Sequence, residues 1–323
     1  MAKRRLTTTE KNLILLWCLF GVMAIGAIGA LIKTVSDRTK GTPLNSAVIF
    51  DEHIPFDADP GIGEAVQDNY LKYLNMAYIL IGDYPDCEMI KISANVTRND
   101  YNWAEDFYVA EGKLYYNYYK NGEALGKPGI DVSEFQKDID WDRVKATGMQ
   151  FAMIRVGYRG YGTGEIHSDK NYETNIDKAI EVGMDTGIYF FSSAINRDEG
   201  IEEAKFCLDK VSGKKIKMPI VIDTEYIFED EAARTNDISM EDRTAAVVGF
   251  CETIEAAGYT PMIYASRDQF IKYLDIDQIG KWQFWLAAYD TPVFPYHTEG
   301  YQYSPYGLVD GIETQVDLNV WMN

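Results

Sequence analysis

Pro219-Ile220-Val221-Ile222-Asp223-Thr224-Glu225-Tyr226 is an apolar run that passes directly into two carboxylates. An uninterrupted apolar run of this length is typical of a strand buried on both faces, as in a parallel sheet. Side chains alternate along a strand, so Asp223 and Glu225 should face the same way. A purely structural role, as ion-paired residues at a strand end, is the simpler alternative. The stretch predicts a central strand that places two acids at the edge of a sheet.

On both sides of this strand, from Gly129 onward, short apolar runs alternate with helical periods, which is typical of β/α units. Helices are predicted at 141–147, 169–182, 198–211, 240–257 and 267–274, the fourth capped by Ser239 and stopped by Gly258. The predicted strands, eight as in a β/α barrel, are Gly129–Val132, Phe151–Val156, Gly187–Phe191, Pro219–Asp223, Pro261–Ala265, Phe284–Ala288, Gly300–Ser304 and Glu313–Leu318. Little helix fits between the last three strands. The predicted fold class is therefore α/β, an irregular TIM-like β/α barrel.

Further polar residues stand near the ends of other predicted strands. Asp131 closes the first strand, Arg155 lies on the second, and Asp290 follows the sixth. Since active sites of β/α barrels lie at the carboxyl ends of the strands, we expect the acids to converge on one opening. Seven aromatic residues accompany them, either as core packing or as platforms for sugar rings: Tyr158, Tyr189, Phe191, Tyr226, Tyr264, Trp285 and Tyr289.

Paired carboxylates suit the cleavage of glycosidic bonds. One acid protonates the departing oxygen, and a second charge stabilises the oxocarbenium-like transition state. Close packing of like charges raises one pKa, which keeps an acid protonated near neutral pH. The sequence has no H-E-x-x-H, no G-x-S-x-G and no phosphate loop, and its three histidines are dispersed.

The net charge of the chain argues against nucleic acid as a partner. At pH 7 the formal charge is -19, whereas nucleic-acid affinity comes mainly from Lys and Arg that neutralise phosphates. Asp223-Thr224-Glu225 also resembles the first motif of metal-dependent 3′–5′ exonucleases, but the acidic charge disfavours that interpretation. The four cysteines are too scattered for a disulfide framework, and buried thiols are expected. A single bridge, for instance Cys207–Cys251, remains an alternative.

Residues 13–32 form an apolar segment without charge, which is long enough for a helix to cross a bilayer. Basic residues precede it, so the positive-inside rule places residues 1–12 in the cytoplasm and the rest of the chain outside the cell. We predict a transmembrane signal-anchor helix; a cleaved signal peptide is the alternative. Either way the remainder is exported.

Residues 33–63 mix Gly, Pro, Asp and Ser as a linker does, and 64–128 should form a small accessory or spacer region. A short helix is predicted within 64–80. Phe107-Tyr108-Val109 and Leu114-Tyr115-Tyr116 should pair as a hairpin, and Asn121-Gly122 should form a second turn.

Ordered motifs over 129–323 resemble glycoside hydrolase family 25, the lysozymes that act as N-acetylmuramidases. They are Gly129-Ile130-Asp131-Val132-Ser133, Ile154-Arg155-Val156-Gly157, Gly187-Ile188-Tyr189-Phe190, Ile222-Asp223-Thr224-Glu225, Ile263-Tyr264-Ala265-Ser266, Trp285-Leu286-Ala287-Ala288-Tyr289, Gln302-Tyr303-Ser304 and Val316-Asp317-Leu318-Asn319. The chain departs from the common pattern at Tyr301, where the family usually has Trp, and at Lys137, where it usually has Gly. Neither departure removes a carboxylate.

The resemblance implies hydrolysis of the β-1,4 bond between N-acetylmuramic acid and N-acetylglucosamine in peptidoglycan, with no metal or organic cofactor. It implies that Glu225 is the general acid. It gives Asp223 the partner role, either orienting the substrate's acetamido group or attacking as a nucleophile. Asp131 and Asp290 would position substrate, together with Arg155 and the aromatic residues. A non-catalytic glycan-binding scaffold on the same barrel is the alternative function.

Overall fold

The computed structural model describes residues 77–81, 88–228, 230–289 and 294–322. They belong to one compact unit, Asn69–Asn323. The predicted transmembrane segment 13–32, its cytoplasmic flank 1–12 and the linker 33–63 lie outside the described residues, as does Asp290. Within the described ranges, no helix is both apolar and long enough to cross a membrane.

The described part of the accessory region contains five short strands. They are β1 (Tyr78–Ile81), β2 (Glu88–Lys91), β3 (Phe107–Tyr108), β4 (Asn117–Lys120) and β5 (Glu123–Ala124). Asn121 and Gly122 both have positive φ and join β4 to β5, which confirms the predicted turn. The other hairpin prediction was wrong in its second strand, because β3 pairs with β4 and not with 114–116. Burial selects this register: Phe107 and Tyr118 are buried in ring contact, whereas Leu114 is exposed. Of the range 64–80 in which a short helix was predicted, the structure describes only the last four residues: Ala77 is helical, and β1 begins at Tyr78.

The remaining strands build a closed barrel. They are β6 (Gly126–Val132), β7 (Phe151–Arg159), β8 (Ile166–Ser168), β9 (Asp185–Ser192), β10 (Ile220–Thr224), β11 (Pro261–Ser266), β12 (Gln283–Ala287), β13 (Gly300–Gly307) and β14 (Val316–Met322). The order β6-β14-β13-β12-β11-β10-β9-β7 is closed by pairing of β6 with β7, and β8 is a hairpin partner of β7 outside the ring. All eight predicted barrel strands are confirmed. The last one starts three residues later than predicted, and it runs antiparallel to both of its neighbours.

Helices cover the outside of much of the barrel. They are α1 (Trp141–Ala146), α2 (Tyr172–Glu181), α3 (Arg197–Val211), α4 (Met240–Ala256), α5 (Arg267–Lys272) and α6 (Ile276–Ile279). The hydroxyl of Ser239 accepts a hydrogen bond from the amide of Asp242, so the predicted cap of α4 is confirmed. Cys207 on α3 and Cys251 on α4 are buried free thiols, and the bridge considered between them is not formed.

The interior of the barrel holds its own apolar cluster, separate from the core between strands and helices. Alternate residues point inward, which explains why the strands are apolar on both faces. The interior cluster comprises Phe151, Met153, Val221, Met262, Tyr264, Trp285, Ala287 and Trp321. It forms a floor beneath the carboxyl ends of the strands.

The accessory region packs directly against the barrel where helices are missing. No helix lies among the described residues between β12 and β14, as the sequence predicted. The outward ring of Tyr301 on β13 instead contacts Trp103 and Phe107, with centroids 5.2 and 5.6 Å away. Residues 88–125 therefore substitute for part of the helical layer, and a role as spacer alone does not account for this packing.

Candidate active site

The carboxyl ends of the parallel strands form one mouth, to which β14 also contributes. Because β14 runs in the opposite direction, its first residues lie where the other strands end. Asp317 on β14 is the direct cross-strand partner of Asp131 on β6. Asp223 is the penultimate residue of β10 and lies close enough to Asp131 for their charges to interact, and Glu225 follows the last residue of that strand. The predicted convergence of Asp131, Asp223 and Glu225 on one opening is what the fold produces.

Asp131 is held by a fixed network of amides. Its Oδ2 accepts hydrogen bonds from Gln302 Nε2 at 2.8 Å and from Asn319 Nδ2 at 2.7 Å. The amide oxygens are also engaged: Gln302 Oε1 accepts from the hydroxyls of Tyr264 and Tyr289, and Asn319 Oδ1 accepts from Trp285 Nε1. Both amide nitrogens must therefore face Asp131, which is bound as an acceptor.

Burial raises the pKa of Asp131 to about 6, although the hydrogen bonds from Asn319 and Gln302 act in the opposite direction. The residue is only 5% exposed. Asp131 therefore changes its charge within the range of pH in which most enzymes work.

Asp223 and Glu225 form a coupled pair. Asp223 is 4% exposed, and its Oδ1 has no hydrogen-bond partner. Burial raises its pKa well above the ordinary value, and the charges of Glu225 and Asp131 and a hydrogen bond with Glu225 raise it further. Glu225 itself is half-buried and so lies closer to solvent. Burial and the neighbouring negative charges therefore favour the protonated form of Asp223, which is the direction expected for two like charges held close together.

Asp317 is a site residue that sequence reasoning did not single out. Burial and the charges of Asp131 and Glu225 raise its pKa to about 9. The sequence pattern marks acids that close strands, whereas Asp317 lies near the start of one. Its signal was present in Val316-Asp317-Leu318-Asn319, which was among the motifs that carried the family resemblance.

Arg155 is held in place by contacts with neighbouring side chains. Its Nε donates to Asp169 Oδ2 at 2.9 Å, and its guanidinium lies over the rings of Phe135 and Tyr158. A further ion pair joins it to Glu134 at 3.6 Å. Arg155 also lowers the pKa of Asp223 against the stronger effect of burial. The Nε donor of Arg155 is therefore used within the protein, and substrate binding by its guanidinium stays a prediction.

The predicted aromatic residues divide into two groups. Tyr158, Tyr189, Phe191 and Tyr226 are half-buried, and Tyr289 is 52% exposed, so these five can present ring surface at the mouth. Tyr264 and Trp285 lie in the barrel interior instead. At 2% exposure Trp285 has no free face for a sugar, and its indole supports Asn319 from below.

Two exposed rings at the rim were not predicted. Phe135, in a short 3-10 helix after β6, is 68% exposed beside Arg155. Phe228, in the loop after β10, is 83% exposed, and its ring centroid lies 4.9 Å from that of Tyr226. In the described part of the chain, no group of three or more His, Cys, Asp or Glu residues could hold a metal ion.

Comparison with known proteins defines the class of this barrel. The model of the glycosyl hydrolases family 25 matches residues 130–312, which is more than half of the chain. The chain therefore belongs to glycosyl hydrolase family 25, a family of enzymes that cleave glycosidic bonds, and the predicted resemblance is confirmed.

Curated relatives include the Autolytic lysozyme of Clostridium acetobutylicum, 24% identical over 59% of this chain and 54% of the relative. Lysozyme M1 of Streptomyces globisporus is 25% identical over 61% of this chain and 68% of the relative. Among solved structures, a family 25 glycosyl hydrolase from Bacillus anthracis has a TM-score of 0.52 at 25% identity, covering 61% of this chain and 89% of that one. The modular autolysin LytC from Streptococcus pneumoniae, solved with a synthetic peptidoglycan ligand, has a TM-score of 0.54 at 24% identity. That match covers 67% of this chain and 52% of LytC, so the chain spans about half the length of LytC and of the clostridial relative.

Proposed function

We propose that this chain hydrolyses the β-1,4 bond between N-acetylmuramic acid and N-acetylglucosamine in peptidoglycan, and that it acts outside the cell from a membrane anchor. The observation that carries the proposal is the hydrogen-bonded carboxyl pair Asp223 and Glu225 at the mouth of the barrel, where burial and the charge of Glu225 raise the pKa of Asp223. The relatives support the substrate, since two are named lysozymes and LytC was solved with a peptidoglycan ligand.

The different depths of the two carboxylates suggest their roles. Glu225 is nearer to solvent and can reach the glycosidic oxygen of a strand lying across the mouth. Asp223 is recessed, with one oxygen unpartnered, and suits the amide N–H of an acetamido group. Such an N–H would favour the ionised form of Asp223, and the shared proton would then reside on Glu225, where the acid needs it.

In the proposed reaction Glu225 donates this proton to the glycosidic oxygen while the bond to the anomeric carbon breaks. The acetamido oxygen, oriented through Asp223, attacks that carbon and closes a cyclic intermediate. Water then opens the intermediate, and the Glu225 carboxylate takes the proton from that water. Direct attack by Asp223 is the less favoured route, because it would require a buried carboxylate to approach the sugar.

The rest of the site fits a glycan strand. The rings of Phe135, Tyr226, Phe228 and Tyr289 present apolar surface around an acidic mouth, and stacking on such rings binds the faces of sugars. Asp131 and Asp317 lie opposite each other beside the acid pair, where they would position hydroxyl and amide groups.

The first experiment uses the full-length chain and purified peptidoglycan. We expect soluble fragments whose new reducing ends, identified by mass spectrometry after borohydride reduction, are N-acetylmuramic acid. Glu225→Gln should abolish release while glycan binding persists. Glu181→Gln, an exposed residue at the end of α2, is the matched control and should stay active.

The outcomes separate the candidate functions. New ends of N-acetylglucosamine would assign a different bond. Binding without any release by the unmodified chain would favour the non-catalytic scaffold. Full activity of Glu225→Gln would refute the acid assignment.

Membrane attachment rests on the apolar segment 13–32 and the basic residues before it. We expect the full-length chain to sediment with membranes and to resist extraction by high salt, whereas a chain beginning at residue 41 should be recovered in the soluble fraction. Release of the full-length chain by salt alone would contradict the anchor, and recovery of a shortened, secreted form would favour a cleaved signal peptide.

A further inference from the structure

Glu225 lies at the junction between the barrel and a loop. The pairing of β10 with β9 ends at Thr224, opposite Ser192, so Glu225 is the first residue of the following loop. An acid that must meet a glycosidic oxygen needs a defined position, since a displacement of about 1 Å can cost about a hundredfold in rate. The position of Glu225 therefore depends on the loop that it begins as well as on β10 and the hydrogen bond with Asp223.

An internal staple closes this loop two residues after Glu225. The amide of Ile227 donates to Asn236 Oδ1 at 3.0 Å, and Asn236 Nδ2 donates back to the carbonyl of Ile227 at 2.8 Å. Asn236 Nδ2 also reaches the carbonyl of Asp230 at 3.2 Å. The beginning of the loop is thus tied to its end.

A second contact ties that end to the barrel. Arg234 makes a two-pronged ion pair with Glu199 on α3, with both N–O distances at 2.8 Å. The same guanidinium donates to the carbonyl of Ser193, the residue that follows β9, at 3.2 Å. The backbone amide of Arg234 donates to the carbonyl of Tyr161 in the loop between β7 and β8 at 3.0 Å.

The surroundings keep Glu199 charged. Burial opposes its ionisation, but hydrogen bonds from Arg234 and from the amide of Ile195 keep its pKa below the ordinary value. Arg159 stands 3.9 Å away and is itself bound to Glu202 and Glu203. The pair is about one-fifth exposed on each side, so solvent screens it only in part.

We infer that Arg234 is a positioning residue, whose ion pair with Glu199 acts through the Asn236 staple to hold Glu225 in place for proton transfer. The inference rests on the proposed function. Arg234 acts through this chain of contacts: besides its direct attachment to β10, Glu225 is tied to the scaffold through Ile227, Asn236 and the Arg234–Glu199 pair.

The test compares Arg234→Ala with the unmodified full-length chain. We expect kcat on peptidoglycan to fall at least about tenfold, with a smaller change in KM, because positioning of the acid is lost. Arg234→Lys, which keeps the charge and one hydrogen bond, should recover part of kcat. Arg197→Ala is the matched control, because it removes another ion pair of α3, with Glu252, and should leave kcat unchanged.

Two further measurements distinguish positioning from general damage. Hydrogen exchange of the loop amides, above all that of Ile227, should accelerate in Arg234→Ala while the barrel strands keep their protection. Glycan binding by Glu225→Gln should be the same with and without Arg234→Ala. If Arg234→Ala does not fold, Glu199→Gln replaces it, since that variant keeps the acceptor shape without the charge.

The outcomes remain separate from those for the proposed function. If the unmodified chain releases no fragments from peptidoglycan, the proposed hydrolase activity is refuted. The hydrogen-exchange measurement still tests whether the Arg234–Glu199 ion pair holds the loop of Glu225. The inference is overturned if Arg234→Ala folds and the hydrogen exchange of its loop amides is unchanged. It is also overturned if that exchange is faster but kcat stays at the value of the unmodified chain.

Discussion

Replacing Asp131 with Asn should make the protein more stable and less active. Burial raises the pKa of Asp131 from 3.8 to about 6, so its ionised form destabilises the folded state. A difference of this size corresponds to about 3 kcal/mol at a pH above 6. Asp131 Oδ2 accepts both the Gln302 and the Asn319 hydrogen bonds, so the amide oxygen of Asn in that place can keep both.

The sign of the pH dependence follows from the direction of this shift. Between pH 4 and 6 the folded chain holds a proton on Asp131 that the unfolded chain has released, so the contribution of this group weakens stability as the pH rises. Asp131→Asn removes that dependence. The carboxylate of Asp131 also accepts a hydrogen bond from its own backbone N–H, which the Asn side chain can lose. The net gain in stability should therefore be between about 1 and 3 kcal/mol at pH 8, and near zero at pH 4.

The assay is urea unfolding followed by tryptophan fluorescence at pH 4 and pH 8, together with fragment release from peptidoglycan. Asp138→Asn, at an exposed position in the loop after β6, is the matched control and should leave both quantities unchanged. A variant that is less stable than the unmodified chain at pH 8, or a stability difference that is the same at both pH values, would refute this reasoning.

Three other residues give shorter tests. The pKa of Asp317 is raised to about 9, so the variant Asp317→Asn mimics the neutral state of this residue. The variant should keep most activity at pH 7, and a pH–rate profile should no longer show any loss of activity that sets in as the pH rises through 9. The opposite result, an inactive variant at pH 7, would mean that the reaction needs the ionised form. Phe228→Ala should raise KM by a few-fold with little change in kcat, because the ring is 83% exposed beside Tyr226, and equal KM values would remove Phe228 from the substrate path. Trp103→Ala should lower the free energy of unfolding by about 2 to 4 kcal/mol, because it removes a ring packed on Phe107 and Tyr301; separate melting of the accessory region with an unchanged barrel would contradict the packing described.

The sequence was sufficient to predict the barrel strands and the position of the central acids. Strands buried on both faces appear as short continuous apolar runs, and such a run can be recognised without knowing which strands lie beside it. The position of Asp223 and Glu225 at the end of such a run was equally local, because strand geometry alone puts both on one side. Helix α4 followed from Ser239 and Gly258, residues whose effect on helix ends is also local.

Other features were decided by pairing between distant segments. Asp317 enters the site because β14 runs antiparallel, and strand direction is not encoded in the strand's own residues. Trp285 and Tyr289 look alike as aromatic residues near a strand end, but only one of them lies inside the closed barrel. The partner of β3 was decided by burial of Tyr118 against Phe107, not by the nearer candidate strand.

By itself, then, the sequence determined the class of fold, the family and the acid pair, because these depend on periodicity and on residues adjacent in the chain. Only the tertiary structure decided how the acids share charge and how the loop of Glu225 is held. The amides of Gln302 and Asn319, the charge of Asp317 and the Arg234–Glu199 pair act across tens to hundreds of residues, and burial sets the strength of each contact. Residues so far apart in the sequence come into contact only when the barrel is formed.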